Sequence, residues 1–578
     1  MAPPAPHTIG SQKTPGPLVS VEQVKGHLRL LRAFHNLRIT VEDCKDNRIP
    51  ECARHLDKDK RWRWFIHLAV DRFERWVQCL QFVPLEKFVT NHLPPLDVWM
   101  VWHAYLLTPC WYAEDCERLA ILQQLRLLNM FVVGSLNIGK LVRHKYSSSR
   151  AESWYKHTET CFDPFEAMAE RTCYKQIECP QCRTRVFAPF LNSDGTGFAE
   201  EKFSVSCPLP GCKLKITKAN LAVAKFVEDV TATPEGREQY IAGTLFTPAG
   251  KRDTRLAKAI KDQLLRSPAF VGAAPMTSNE RLARLDWIKD IKESVDYSLE
   301  RLKKVVSTAL KCYPESTTSK ILGAYIDGTP FSVDLVDAVF RQCFFTEKMD
   351  EVGWIKPAAF HEADKMSILE NSVVRYHAFL DLAATHPSAL LVPTLDIDLV
   401  WHTHQLMASR YVVDCEVYVG RYLDHEVNIA ESRLSSAFEA TCRAWQNRHQ
   451  VPYIRCGCAA PDEASFQKFM RLVRQYLRGR SHIPALLHPE HLPATHPSIH
   501  NAVITYQQVG SGKFGRSSHR ARAATGGSSS PSRNQHGTGG NRSASTPSSA
   551  PAKVNLELSK SLPQIPWLTS TVLNGPTT

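Results

Sequence analysis

The stretch PTLDIDLVWHTHQL, residues 393–406, decides how this chain is read, because it fits two secondary structures with opposite chemical consequences. As a strand it alternates: Leu395, Ile397, Leu399 and Trp401 point one way, while Asp396, Asp398, His402 and His404 share the other face and could hold a metal. As a helix, at about 100° per residue, Asp398 and His402 lie on one face and His404 is turned roughly 160° away from His402. One ion could not then take both histidines without a break in the helix.

A second copy of the pattern favours the helix. Shifted by 299 residues, PPLDVWMVWHAYLLTPCWYAEDCE (94–117) aligns without a gap on 393–416, with eleven of 24 positions identical, among them Asp97/Asp396, Trp102/Trp401, His103/His402 and Asp115/Asp414. The first copy, LDVWMVWHAYLL, is apolar nearly throughout and is followed by Thr108-Pro109, a helix-start signal, so it cannot be an alternating strand. Upstream, Arg75-Trp76 corresponds to Arg375-Tyr376 with a one-residue slip, which makes each copy a helical domain of well over a hundred residues. In this reading Asp97 and Asp396 serve free helix amides, and His103 and His402 hydrogen-bond within the interface. The second copy keeps a ligand reading as well, because Asp398 and His404 replace Trp99 and Tyr105. Asp398 and His402, one turn apart, could also form an acid/base pair.

Helical signals surround the two copies. Ser20 and Gln23 form a capping box ahead of a helix starting at Val21, and an apolar stripe runs through Trp64, Phe65, Leu68, Phe73, Trp76 and Leu80. Thr108-Pro109 opens a helix through WYAEDCERLAILQQLRLL, and Ser332 is placed to cap FSVDLVDAVFRQCFFTEKM with Asp334 near its positive end. Phe466, Phe469, Met470, Val473 and Leu477 make a narrow stripe opposite Lys468, Arg471, Arg474 and Arg478, suited to docking on the domain or to meeting an anionic surface.

Between the copies the character changes. Cys179-x2-Cys182 and Cys207-x4-Cys212 flank 24 residues, with proline and glycine beside the thiols. Two such tight turns facing each other give closed tetrahedral sulfur ligation, the mark of a structural zinc ion in a small β module. Cys173 is a less suitable substitute, and Cys456 and Cys458 have no obvious partner. The remaining thiols, among 17 in all, are scattered through helical sequence and fit a reducing compartment. Neither a run long enough to span a membrane nor a secretory signal is visible, which points to an intracellular protein, cytoplasmic or nuclear.

The net charge of +13 is uneven: from residue 501 onward there are eight Lys/Arg and one Glu. The tail could therefore bind RNA or an acidic protein, while the folded part is nearly balanced. No phosphate loop, dinucleotide fingerprint, nucleophile elbow or His-Glu-x-x-His motif occurs, and no small-molecule substrate is identifiable.

The expected fold is mainly α: two related helical halves, an inserted small β zinc-ribbon-like module and a disordered C-terminal tail. Its divisions are a disordered start (1–18), helical half one (19–172), the four-cysteine module (173–220), a helical connector (221–300), helical half two (301–460), a basic amphipathic helix and linker (461–508) and a disordered Gly/Ser/Arg-rich tail (509–578). PPLDVWMVWHAYLLTP, PFSVDLVDAVFRQCFFTEKM and VPTLDIDLVWHTHQL resemble the glycine-rich domain-containing protein-like family of fungi and plants, a domain of unknown function, over about residues 20 to 450. The inserted cysteines resemble the fungal form. The resemblance implies no settled activity; plant members are linked to development and stress with suggested RNA association, and some fungal members are labelled 2-oxoglutarate-dependent dioxygenases. The expected function is a zinc-containing helical adaptor or regulatory protein. The rival is a metal-dependent enzyme, dioxygenase-like or hydrolytic, using Asp398, His402 and His404.

Overall fold

The computed structural model describes residues 6–44, 48–80, 93–132, 146–169, 174–232, 239–247, 250–270, 280–357, 359–360, 363–426, 431–454 and 502–503. The chain is mainly helical. Its helices are α1 (Val21–Asp43), α2 (Glu51–Arg54), α3 (Lys58–Leu80), α4 (Leu96–Leu106), α5 (Pro109–Arg118), α6 (Gln123–Val132), α7 (Ser148–Thr158), α8 (Pro164–Ala169) and α9 (Lys218–Thr231). They continue with α10 (Thr254–Leu265), α11 (Glu280–Ser294), α12 (Leu299–Ala309), α13 (Glu315–Gly323), α14 (Leu335–Glu351), α15 (Ala363–Thr385), α16 (Leu395–Gln405), α17 (Ala408–Asp414) and α18 (Glu431–His449). Among the described residues the strands form antiparallel pairs: β1 (Thr8–Ile9) with β2 (Gln12–Lys13), β3 (Tyr174–Glu178) with β4 (Arg185–Pro189), β5 (Val205–Ser206) with β6 (Lys215–Ile216), and β7 (His425–Glu426) with β8 (Ala502–Val503).

Both Trp-His segments are helical, as α4 and α16. A helix that is apolar on every side has to be wrapped by neighbours, and α4 packs against α3, α14 and α1. α16 is equally enclosed, by α15, α1 and α17, although it carries Asp396, Asp398, His402, Thr403, His404 and Gln405, all buried. Most of these polar groups find a partner inside the protein, as burial demands. α1 touches both central helices; its start is fixed by the capping box, with Ser20 accepting from the Gln23 amide and the Gln23 side chain accepting from the Ser20 amide at 2.7 Å.

Several local expectations need correction. Residues 6–18 are ordered rather than disordered: a hairpin turns at Gly10, whose φ of +58° suits glycine, and buries Ile9 and Leu18. The Gly10 amide donates to Asp381 at 2.8 Å and the Leu18 amide to His377 at 2.9 Å, tying this segment to α15. α14 is capped by Asp334, which accepts from the Val336 and Asp337 amides. Ser332 instead donates its own amide to Asp115 at 2.7 Å. The helix expected after Pro109 stops at Arg118, Leu119 being extended (φ −101°, ψ 116°), and resumes as α6 after a short 3₁₀ turn. Apart from Ala502 and Val503, the expected basic helix and linker of 461–508 lie outside the described residues, as do Cys173, Cys456, Cys458 and the tail 509–578.

Candidate metal centres

Each pair of cysteines sits where a hairpin turns. Cys179 follows β3 and Cys182 lies in the turn to β4, where Arg183 takes a left-handed backbone (φ 62°) and donates its amide to the Cys179 carbonyl. Cys207 follows β5 and Cys212 precedes β6, with Gly211 at φ 91° allowing the second turn. The two turns face each other. Cys179 Sγ lies 3.8 Å from Cys212 Sγ, and Cys182 Sγ lies 3.4 Å from Cys207 Sγ. Four sulfurs at bonds of about 2.3 Å from one ion would stand about 3.8 Å apart, so the cluster fits a tetrahedral metal and is too open for disulfides. Burial raises the Cys182 thiol, but Thr184 and the neighbouring thiols outweigh it and hold it down to about 6, whereas burial pushes Cys179 up to about 12 and raises Cys207.

The module is anchored on both sides. Lys175 of β3 is buried between Asp71 at 2.7 Å and Glu74 at 2.6 Å, both on α3. Lys292 of α11 donates to the Pro180 carbonyl, between the first two cysteines, at 2.7 Å. Neither lysine carries a motif; burial of a charge against a distant partner is invisible in a linear pattern.

In the second segment the structure separates the two histidines. His404 Nε2 is 3.0 Å from Asp414 and its Nδ1 is 2.9 Å from the Tyr376 hydroxyl. Burial lowers its pKa and Asp414 opposes that shift. His402 instead faces Asp398, Nε2 to Oδ1 at 3.2 Å, as two residues one turn apart on a helix should. The third residue brought to this point is His425 of β7, with Nε2 3.3 Å from His402 Nε2. His425 was not anticipated: it lies 23 residues further on, beyond an irregular segment, and follows no spacing rule.

Several polar pairs of the two segments have counterparts in each other. Arg72 binds Asp97 at 2.8 Å and lies over Trp154; Arg375 binds Asp396 at 2.7 Å and lies over Trp445. The arginine matching Arg375 is thus Arg72, one turn before Arg75, which pairs with Asp71. Tyr105 donates to Asp115 where His404 meets Asp414. Trp401 donates to the Tyr411 hydroxyl at 2.7 Å, and Trp102 and Tyr112 are the residues at the corresponding positions of the first segment. His103 meets His27 of α1, Nε2 to Nε2 at 2.9 Å, and His27 Nδ1 is 2.9 Å from Thr403. Burial, followed by the nearby His402, lowers His27 to about 3, so it is neutral in the folded protein.

Residues 276–414 match the family model described as glycine-rich domain-containing protein-like. Two relatives come from Arabidopsis thaliana. Glycine-rich domain-containing protein 2 is 32% identical over 132 residues, which are 22% of this chain and 16% of the relative. Glycine-rich domain-containing protein 1 is 30% identical over 132 residues, 22% of this chain and 15% of the relative. The chain therefore spans about one sixth of the length of these relatives. No solved structure matches it. The matched range includes Asp398, His402 and His404, stops short of His425, and leaves out the four cysteines. Residues 276–414 are thus similar to the glycine-rich domain-containing protein-like family.

Proposed function

We propose that this chain is a non-catalytic intracellular scaffold built from two related helical halves, braced by a zinc ribbon in which Cys179, Cys182, Cys207 and Cys212 hold a structural zinc ion. Its basic C-terminal stretch captures a polyanionic partner, an RNA backbone in the simplest case. The observation that carries the reading is the thiol cluster: four sulfurs within 4.8 Å of one another complete a tetrahedron, so an ion there has no position left for a substrate. The polar residues of α4 and α16 support it, because the Arg–Asp, Tyr–Asp and His–Asp pairs are matched inside the protein. Among the described residues no helix is long and apolar enough to cross a membrane.

The test has two parts. Zinc per chain, measured on purified full-length protein, should fall by one equivalent in Cys179→Ser; an unchanged count would remove the ion from those thiols. Fluorescence anisotropy with single-stranded RNA should show binding that weakens with salt and disappears when residues 509–578 are deleted, as counterion release by the eight cations from residue 501 onward requires. Equal binding by the truncated chain would refute the tail's role.

A further inference from the structure

Among the described residues, the thiol cluster has one counterpart: Asp398, His402 and His425 also bring metal-ligating atoms within 4.8 Å of one another. We propose that Asp398 Oδ1, His402 Nε2 and His425 Nε2 form a second metal site, which takes a divalent transition-metal ion of the zinc type.

The spacing carries the argument. His402 Nε2 is 3.2 Å from Asp398 Oδ1 and 3.3 Å from His425 Nε2. Donors bound to one tetrahedral ion at about 2.0–2.1 Å stand about 3.3–3.4 Å apart, so the two contacts of His402 have the spacing of ligands on a common ion, and all three residues bring their donors within 4.8 Å of one another. Two imidazoles and a carboxylate are a donor set that borderline metals accept readily.

The surroundings hold those donors in place. Asp398 and His402 are fixed one turn apart on α16, with relative exposures of 0%. His425 approaches from β7, and its ring stacks on Trp401 at 4.3 Å between centroids. Phe345 lies against the His402 ring at 4.5 Å. An ion here would join α16 to β7. Packing contacts of this kind orient ligands before a metal arrives.

The first segment supplies an internal control. His103, the counterpart of His402, also faces a second imidazole, but the gap to His27 is 2.9 Å, an ordinary hydrogen-bond length. Position 99 there is a tryptophan stacked on Trp102 at 4.9 Å, so no carboxylate completes the set. The same Trp-His framework thus holds an imidazole pair in one place, and a wider imidazole pair with a carboxylate in the other. A proton on His402 Nε2, shared between Asp398 and His425, is the competing occupant, and it requires no metal.

Cobalt titration separates the two occupants. Metal-stripped full-length protein, titrated with Co(II), should bind two equivalents: one with a near-ultraviolet thiolate-to-cobalt band, the other with visible d–d absorption and no such band. Asp398→Asn and His425→Gln should each abolish the second signature and keep the first, whereas His103→Gln should keep both. The inference fails if the wild-type chain shows no cobalt signature beyond the thiolate one, a result independent of how any variant folds. It also fails if both variants retain the second signature. Loss of the thiolate band alone would count against the zinc ribbon and leave this site standing.

Discussion

At position 99 the first segment has a tryptophan stacked on Trp102; at position 398 the second has an aspartate facing His402. Around that exchange the framework is shared: an arginine from the preceding long helix on the aspartate, and position 105 or 404 bonded to the aspartate ten residues later. The comparison shows which polar residues serve packing, because those recur. It also isolates what is particular to the second segment: the carboxylate at 398 and the imidazole at 425.

The largest effect should come from breaking the shared Arg–Asp pairs. Both partners of the Arg375–Asp396 pair are fully buried, and Arg72 and Asp97 are nearly so. Removing one partner of such a pair leaves an uncompensated charge and costs about 3–5 kcal/mol. Arg375→Ala and Arg72→Ala should therefore lower stability by similar amounts in urea unfolding, and Arg75→Ala, whose side chain is 30% exposed, by about 0–1 kcal/mol. An Arg75→Ala loss equal to that of Arg72→Ala would break the proposed correspondence.

Removing the metal from the thiols should act next, and locally. With a chelator present, amide exchange should accelerate across residues 174–216 while α4 and α16 stay protected; uniform protection would show that the hairpins hold without an ion. Smaller again is the exchange at 404. His404→Ala should cost about 1–3 kcal/mol by taking the imidazole from Asp414, which keeps Arg410 at 3.4 Å, and by leaving the Tyr376 hydroxyl without it. His404→Tyr, which recreates the Tyr105–Asp115 arrangement, should cost less than half as much. Equal losses from both variants would mean that the two positions do different work.

A pH slope at His377 is the last comparison. Its Nε2 accepts from the Leu18 amide and its Nδ1 donates to the Val373 carbonyl at 2.7 Å, an arrangement that needs a neutral ring. Burial, and then His7 stacked on it, lowers its pKa to about 3. Between the ordinary value of 6.5 and about 3 the unfolded chain takes up a proton that the folded chain refuses. Stability should therefore fall as pH drops below 6.5 and level off near 3, and His377→Gln should flatten that part of the melting-temperature profile. An identical slope in the variant would assign the dependence elsewhere.

Much of the helical framework was legible because it depends on local signals. The capping box at Ser20, the apolar run of 96–106 and the paired cysteine turns all announce themselves within a few neighbouring residues. The register of Arg72 was not legible. Arg72 and Arg75 lie on adjacent turns of one helix, and 25 residues separate Arg72 from Asp97, against 21 between Arg375 and Asp396. The hairpin of 6–18 was hidden by its proline-rich composition, since its anchors, His377 and Asp381, lie more than 350 residues away. His425 was missed for the same reason as Lys175: tertiary geometry, rather than spacing, gives each its partners.

Lys175 has a mechanical corollary. Its ammonium is gripped by two carboxylates of α3, while Lys292 grips the opposite end of the same hairpin through the Pro180 carbonyl. The cysteine insert is therefore riveted at two points instead of hanging from a tether. A load applied to its exposed aromatic Phe187 would be borne by the long helices beneath, so the hairpins can serve as a handle on the whole body.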